Sequence, residues 1–154
     1  SVMEAAQISF ISSTYWTDKI GPVAALTTLK KHSRLNVGSH LIKIGNLMQE
    51  GWKKLGEKHQ LDIRVSGIPP LSHWSVQSNE SQLLHTVVVE KMLKKGFLTS
   101  NAFYSTYAHT EENVASYMNK LDGVLGELAV HIKENRLGKV YNIPIAHSGF
   151  KRLT

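Results

Sequence analysis

An α+β fold, with a small antiparallel sheet of about three strands covered by helices, is what this 154-residue sequence predicts. Three observations carry that prediction. Apolar residues recur at three-to-four spacing in several long segments, which makes one buried stripe per helix. Between Leu61 and Gln77 the period switches to two, as in a half-buried strand. The helical and extended segments are mixed rather than strictly alternating, giving the order helix, helix, two strands, helix, strand, helix that places helices on one face of a small sheet.

Taken in order, Gly21-Pro22 marks the start of the first helix, because proline's fixed φ suits a first turn and its missing N–H would be unpaired there anyway. That helix runs to about Lys31. A second spans roughly Ser39 to Lys58, with Ile44, Met48, Trp52 and Leu55 on one stripe. Gly45, Gly51 and Gly56 each lower its intrinsic propensity by up to about 1 kcal/mol relative to alanine, so packing must compensate or the helix frays.

Leu61, Ile63 and Val65 alternate with Asp62, Arg64 and Ser66 as a strand. Gly67-Ile68-Pro69-Pro70 supplies a loop, since proline cannot donate to a ladder, and Leu71 to Val76 returns. Asn79 with Gln82 resembles a capping box for a third helix through Leu83, Leu84, Val87, Val88 and Met92, stopped by Gly96. Phe97-Leu98 and Phe103 to Tyr107 read as short strand pieces around the turn Thr99-Ser100-Asn101. Thr110 caps the fourth helix, with Glu111 and Glu112 where the helix dipole favours negative charge. Val114, Tyr117 or Met118, Leu121, Val124 or Leu125, Leu128 and Ile132 form its stripe. From Arg136 the chain loses periodicity and reads as a tail either extended on the surface or disordered.

A hydrophobic content of 42% against 19% charged residues is that of a globular protein able to bury a core, not of a disordered chain. No run approaches the roughly 18 apolar residues that span a membrane. The absence of cysteine excludes disulfides and thiolate zinc sites and fits a reducing, cytoplasmic setting. The formal charge of +6 raises the alternative of a stand-alone basic α+β module that binds an acidic partner or RNA. Its placement argues against that: Arg136, Lys139, Lys151 and Arg152 follow Asn135 with no acid, leaving 14 basic against 12 acidic residues before them. The Lys30-Lys31, Lys53-Lys54 and Lys94-Lys95 pairs sit late in their helices, where they complement the dipole.

The segment from Ser12 to Leu26 holds the chemistry. Ser12-Ser13-Thr14-Tyr15-Trp16 brings small hydroxyls and free backbone N–H groups together ahead of a helix, a setting that can hold a phosphate. On local grounds alone the same residues make an ordinary polar turn. Thr14 through Leu26, followed by Thr27-Thr28-Leu29, resembles the entry to the C-terminal domain of class III pyridoxal-phosphate (PLP) aminotransferases, in the glutamate-1-semialdehyde aminomutase-like branch. The resemblance extends from Met3-Glu4-Ala5-Ala6 to Leu153, with a second landmark at Ala108-His109-Thr110-Glu111-Glu112-Asn113.

That resemblance implies a division into a connecting segment with the phosphate loop (1–21), a C-terminal small domain (22–135) and an extended basic tail (136–154). It implies that Ser13 and Thr14 reach the phosphate of PLP held by the neighbouring subunit of a homodimer. It further implies a large PLP-binding domain bearing the Schiff-base lysine, a small-molecule amino substrate, no catalytic residue in this chain, and a fragment inactive by itself. Family members often grip a substrate carboxylate with an arginine just before the final helix. Phe103 to Thr110 contains none, as in the aminomutase-like branch. Phe103, Tyr104 and Tyr107 either wall the substrate entrance or, as strand preferences favour, belong to the sheet core.

His109, His73 and His85 have no partnering acid or nucleophile at recognisable spacing and read as hydrogen-bonded structural residues. No histidine pair has metal-ligand spacing. Ala146-His147-Ser148-Gly149-Phe150-Lys151-Arg152-Leu153 also recurs in the aminomutase-like group and reads as a strap docking on the large domain.

Overall fold

The computed structural model describes residues 2–9, 15, 17–147 and 149. It divides into two compact units, residues 1–37 and 38–154. The first carries helices α1 (Val2–Ile8) and α2 (Ile20–Arg34). α1 falls in a stretch read from sequence only as a connector; its seven residues bury nothing. Pro22 lies in the first turn of α2, and Asp18 Oδ1 accepts the Ile20 N–H ahead of it. Ile20, Val23, Leu26 and Leu29 of α2 are all exposed.

The second unit is α+β: α3 (Val37–His59), β1 (Ile63–Ile68), β2 (Leu71–Val76), α4 (Ser81–Lys94), β3 (Ala102–Tyr104), α5 (Glu111–Lys133) and α6 (Leu137–Val140). Its three-stranded sheet has the order β1-β2-β3, antiparallel throughout. Register is set by pairs such as Val65↔Trp74 and Ile68↔Leu71. On β2 the side chains alternate, with Ser72, Trp74 and Val76 buried and His73 and Ser75 exposed, so one face is turned to the helices. α3 meets that face through Trp52, whose ring stacks on Trp74 with centroids 5.8 Å apart.

The core joins Ile44, Met48, Trp52 and Leu55 of α3, the apolar stripe of α4, and Val114, Leu121, Val124, Leu125, Leu128 and Ile132 of α5. Burying each large side chain stabilises the fold by about 1.5–3 kcal/mol. α3 does not fray, because its three glycines are contact points. A side chain at Gly45, Gly51 or Gly56 would meet Pro69, Met118 or Ile63 respectively.

Several local expectations change. β1 continues through Gly67 and Ile68, which the loop reading had excluded; Gly67 pairs with Ser72 at φ +86°, a left-handed conformation suited to glycine. The Asn79–Gln82 capping box does not form: Glu80 is the cap residue, without a side-chain cap, and Gln82 donates to Ala146 O. Phe97-Leu98 is not a strand. Instead Phe97 N–H closes the end of α4 on Met92 O after Gly96 at φ +86°. β3 spans only Ala102–Tyr104, with the Ser105 N–H donating to Pro70 O in the same register just beyond its end.

The Thr110 cap forms as read. Its hydroxyl accepts the Asn113 N–H, and Asn113 Oδ1 accepts the Thr110 N–H in return. After α5, Leu137 is fully buried, so the chain beyond Arg136 does not simply leave the surface free. Residues 141–147 have no regular structure, but Ala146 bonds to both Gln82 and Thr86 of α4.

Candidate functional site

Ser13 and Thr14, the residues implied to grip a phosphate, lie outside the described residues, as do Trp16 and most of the terminal motif from Ser148. Of the same segment, Tyr15 is exposed and its carbonyl accepts the Asp18 N–H. The local frame of the second landmark is clear. His109 Nδ1 accepts the Thr106 N–H at 3.0 Å, which leaves the proton of the neutral ring on Nε2. The His109 carbonyl accepts from His40 Nε2 at 2.9 Å, tying the start of α5 to α3. These bonds make His109 a structural corner.

Above that corner lies a pocket of about 540 Å³, bounded by α3, residues 97–104 and the first turns of α5. Met48, Phe97, Leu98, Phe103 and Val114 are among the apolar residues of its wall. Tyr117 Oη and Thr99 Oγ1 are bonded at 2.9 Å, and burial holds the Tyr117 phenol above its ordinary value, so it is a neutral hydroxyl. Trp52 lies beside Tyr117, and its indole N–H, like the Thr99 hydroxyl, opposes that upward shift. Tyr104 borders the pocket and is exposed, as is Tyr107; only Phe103 of the three packs against the core. The sheet-core reading therefore fails for the two tyrosines, because Tyr104 is exposed on the outer strand β3 and Tyr107 lies beyond that strand in a turn.

Sequence reasoning placed Trp52 and Tyr117 in core stripes, and both are in fact core-facing. Nothing local marks them as pocket residues, since the pocket arises from the path of residues 97–104 across the helices. A smaller pocket of about 150 Å³ between β2 and α4 includes His85, whose pKa burial lowers and whose Nε2 has no hydrogen-bond partner among the described residues. Among the described residues no three His, Asp or Glu side chains are grouped to hold a metal ion. No helix among them is long and apolar enough to cross a membrane.

No family model matches the chain, and no curated protein matches it in sequence. Its fold is similar to that of a solved structure, the PLP internal aldimine form of the FumI protein of Sphingopyxis sp. MTA144. The TM-score is 0.68 at 17% identity, over 85% of this chain and 32% of that one. At that identity the likeness is one of fold, and the chain spans about a third of that protein's length.

Proposed function

We propose that this chain is the C-terminal domain of a dimeric PLP-dependent enzyme that moves an amino group between amine and carbonyl carbons. Within that class we place it in the class III, glutamate-1-semialdehyde aminomutase-like group. The observation that carries the reading is the shared α+β fold over 85% of the chain with part of a protein that holds PLP. The sequence resemblance from Met3 to Leu153 points the same way from different evidence.

The donor set suits the coenzyme: two adjacent hydroxyls, Ser13 and Thr14, are the small neutral donors that a phosphate dianion accepts from. PLP supplies the electron sink for carbanion chemistry when bound. This chain's part is to bind and orient, with Ser13 and Thr14 donating to the phosphate across the subunit boundary. The Schiff-base lysine belongs to a large domain outside these residues. The exposed apolar side chains of α2, Ile20, Val23, Leu26 and Leu29, are a surface that such a domain or the second subunit would cover.

The test uses the complete polypeptide encoded by the reading frame that contains these residues. It is expected to retain PLP, measured by visible absorbance and equilibrium dialysis. Replacing Ser13 and Thr14 together by alanine is expected to weaken PLP binding by about 10- to 100-fold, from the ~1.5–3 kcal/mol of hydrogen bonds to charged groups. A complete polypeptide that binds no PLP, or a double variant that binds it unchanged, overturns the reading.

A further inference from the structure

We infer that the pocket beneath residues 97–104 takes up the alkyl chain of a small amphiphile, such as a medium-chain alcohol, and leaves the polar head at its mouth. At about 540 Å³ it falls within the size range of small-molecule sites, roughly 300–1,000 Å³. The inference does not rest on the coenzyme reading, since every residue it uses lies within the compact unit of residues 38–154.

The inner wall asks for hydrocarbon, because its polar atoms are spent on one another. The Tyr117 hydroxyl and Thr99 Oγ1 are bonded at 2.9 Å. The Trp52 indole N–H is buried beside the same hydroxyl, out of reach of anything in the pocket. Ser100 Oγ donates to Ala102 O and accepts the Ala102 N–H. Buried Met48, Trp52 and Val114 close the floor, while Phe97 and Phe103 are half-buried and keep apolar surface facing solvent. That surface gains by meeting a hydrocarbon instead of water, as apolar cavities in proteins do when they bind small hydrocarbons.

The mouth sets the shape of the ligand. Leu98 is 90% exposed and Tyr104 is 66% exposed, and both line the pocket, so its apolar surface continues outward onto an open lip that a chain can follow. Among the described residues that line it, none is lysine, arginine, aspartate or glutamate. A chain carrying a charge at its inner end would therefore be desolvated without a counter-ion, and an inner hydroxyl would find no free partner. Neutral donors border the same space. The His109 ring carries its proton on Nε2, because Nδ1 accepts the Thr106 N–H, and exposed Asn113 spends Oδ1 on Thr110 and keeps its amide N–H groups. An alcohol oxygen at the outer end of the chain suits such donors.

The experiment titrates the complete polypeptide that contains these residues, by isothermal calorimetry, with hexan-1-ol, heptan-1-ol, octan-1-ol, octane-1,8-diol and octane-1,8-diamine. Affinity is expected to rise about four-fold with each methylene from hexanol to octanol. The diol and the diamine have a polar group at whichever end enters, and each is expected to bind at least about ten-fold more weakly than octanol. Leu98→Asp, at a side chain so exposed that folding does not depend on it, is expected to weaken octanol at least about five-fold. Val130→Asp, at an exposed apolar side chain of α5 that does not line the pocket, is expected to leave octanol binding unchanged. No binding up to octanol's solubility limit, an affinity independent of chain length, a diol or diamine that binds as well as octanol, or equal affinities in the two variants overturns the proposal.

Discussion

Gly45 of α3 faces the Pro69 carbonyl in the β1–β2 turn so closely that a Cβ at Gly45 would lie 1.8 Å from that oxygen. The helix is seated on the hairpin backbone to backbone. Beside this contact, Ser72 donates to the same Pro69 oxygen at 2.9 Å and accepts from Gln49 Nε2 at 2.9 Å, while Gln49 also reaches Gly67 O. One helical turn of α3 thereby positions the hairpin that carries Trp74 against Trp52.

Gly45→Ala is expected to destabilise the protein by about 2 kcal/mol, because overpacking against rigid backbone outweighs the ~1 kcal/mol gain in helix propensity. Gly123 of α5 is the matched control: it is helical and nothing lies within 4 Å of an added Cβ. Gly123→Ala should gain about 0.5–1 kcal/mol. Urea unfolding of both variants checks the opposite signs, and equal effects would refute the seating argument.

Ser72 is fully buried and polar. Ser72→Ala removes the hydroxyl from Pro69 O and takes one acceptor from Gln49, and should cost about 1–2 kcal/mol. Hydrogen exchange is expected to rise at the β1–β2 pairing before global unfolding. A variant as stable as the parent would mean that water replaces the hydroxyl without cost.

Glu80 holds the start of α6 with both oxygens, accepting the Leu137 N–H at 2.9 Å and the Gly138 N–H at 2.8 Å. Glu80→Ala should lose about 1–2 kcal/mol and raise amide exchange across residues 137–146, since a capping carboxylate and a favourable charge are removed together. Glu80→Gln keeps one acceptor and is expected to fall between. Exchange confined to residues 81–84 in both variants would contradict this role.

Asp122 accepts from Lys58 Nζ at 2.6 Å and His59 Nε2 at 2.7 Å, joining the end of α3 to the middle of α5. Lys58 first, and then His59, hold its carboxyl below the usual aspartate value. Because the folded-state value is lowered, its contribution to stability is complete above about pH 4 and is lost as pH falls through the lowered value. Asp122→Asn should therefore be less stable than the parent at pH 7, with the two denaturation midpoints converging as the pH drops below the aspartate range. A gap that stays constant across that range would assign the effect to shape rather than charge.

Much of the fold was legible along the chain. The stripes of α3, α4 and α5, the β2 segment from Leu71 to Val76, the Gly96 stop and the Thr110 cap all rest on interactions within a few residues, and those are what a one-dimensional pattern records. The start of α4 was misread because Glu80 and Gln82 spend their side chains on residues 137, 138 and 146, about sixty positions away. Leu137 was missed for the same reason: a single apolar residue in an aperiodic stretch has no local signature of burial.

By itself the sequence determined the fold class, the helix stripes and the polar Ser-Thr segment, because periodicity and cap chemistry are written in neighbouring residues. Only the tertiary structure decided which glycines are contact surfaces, that Ala146 docks on α4, and that Trp52, Thr99, His109 and Asn113 border one pocket. Those outcomes depend on how elements far apart in the chain come within a few ångströms, and close approach in space leaves no spacing in the sequence from which to read it.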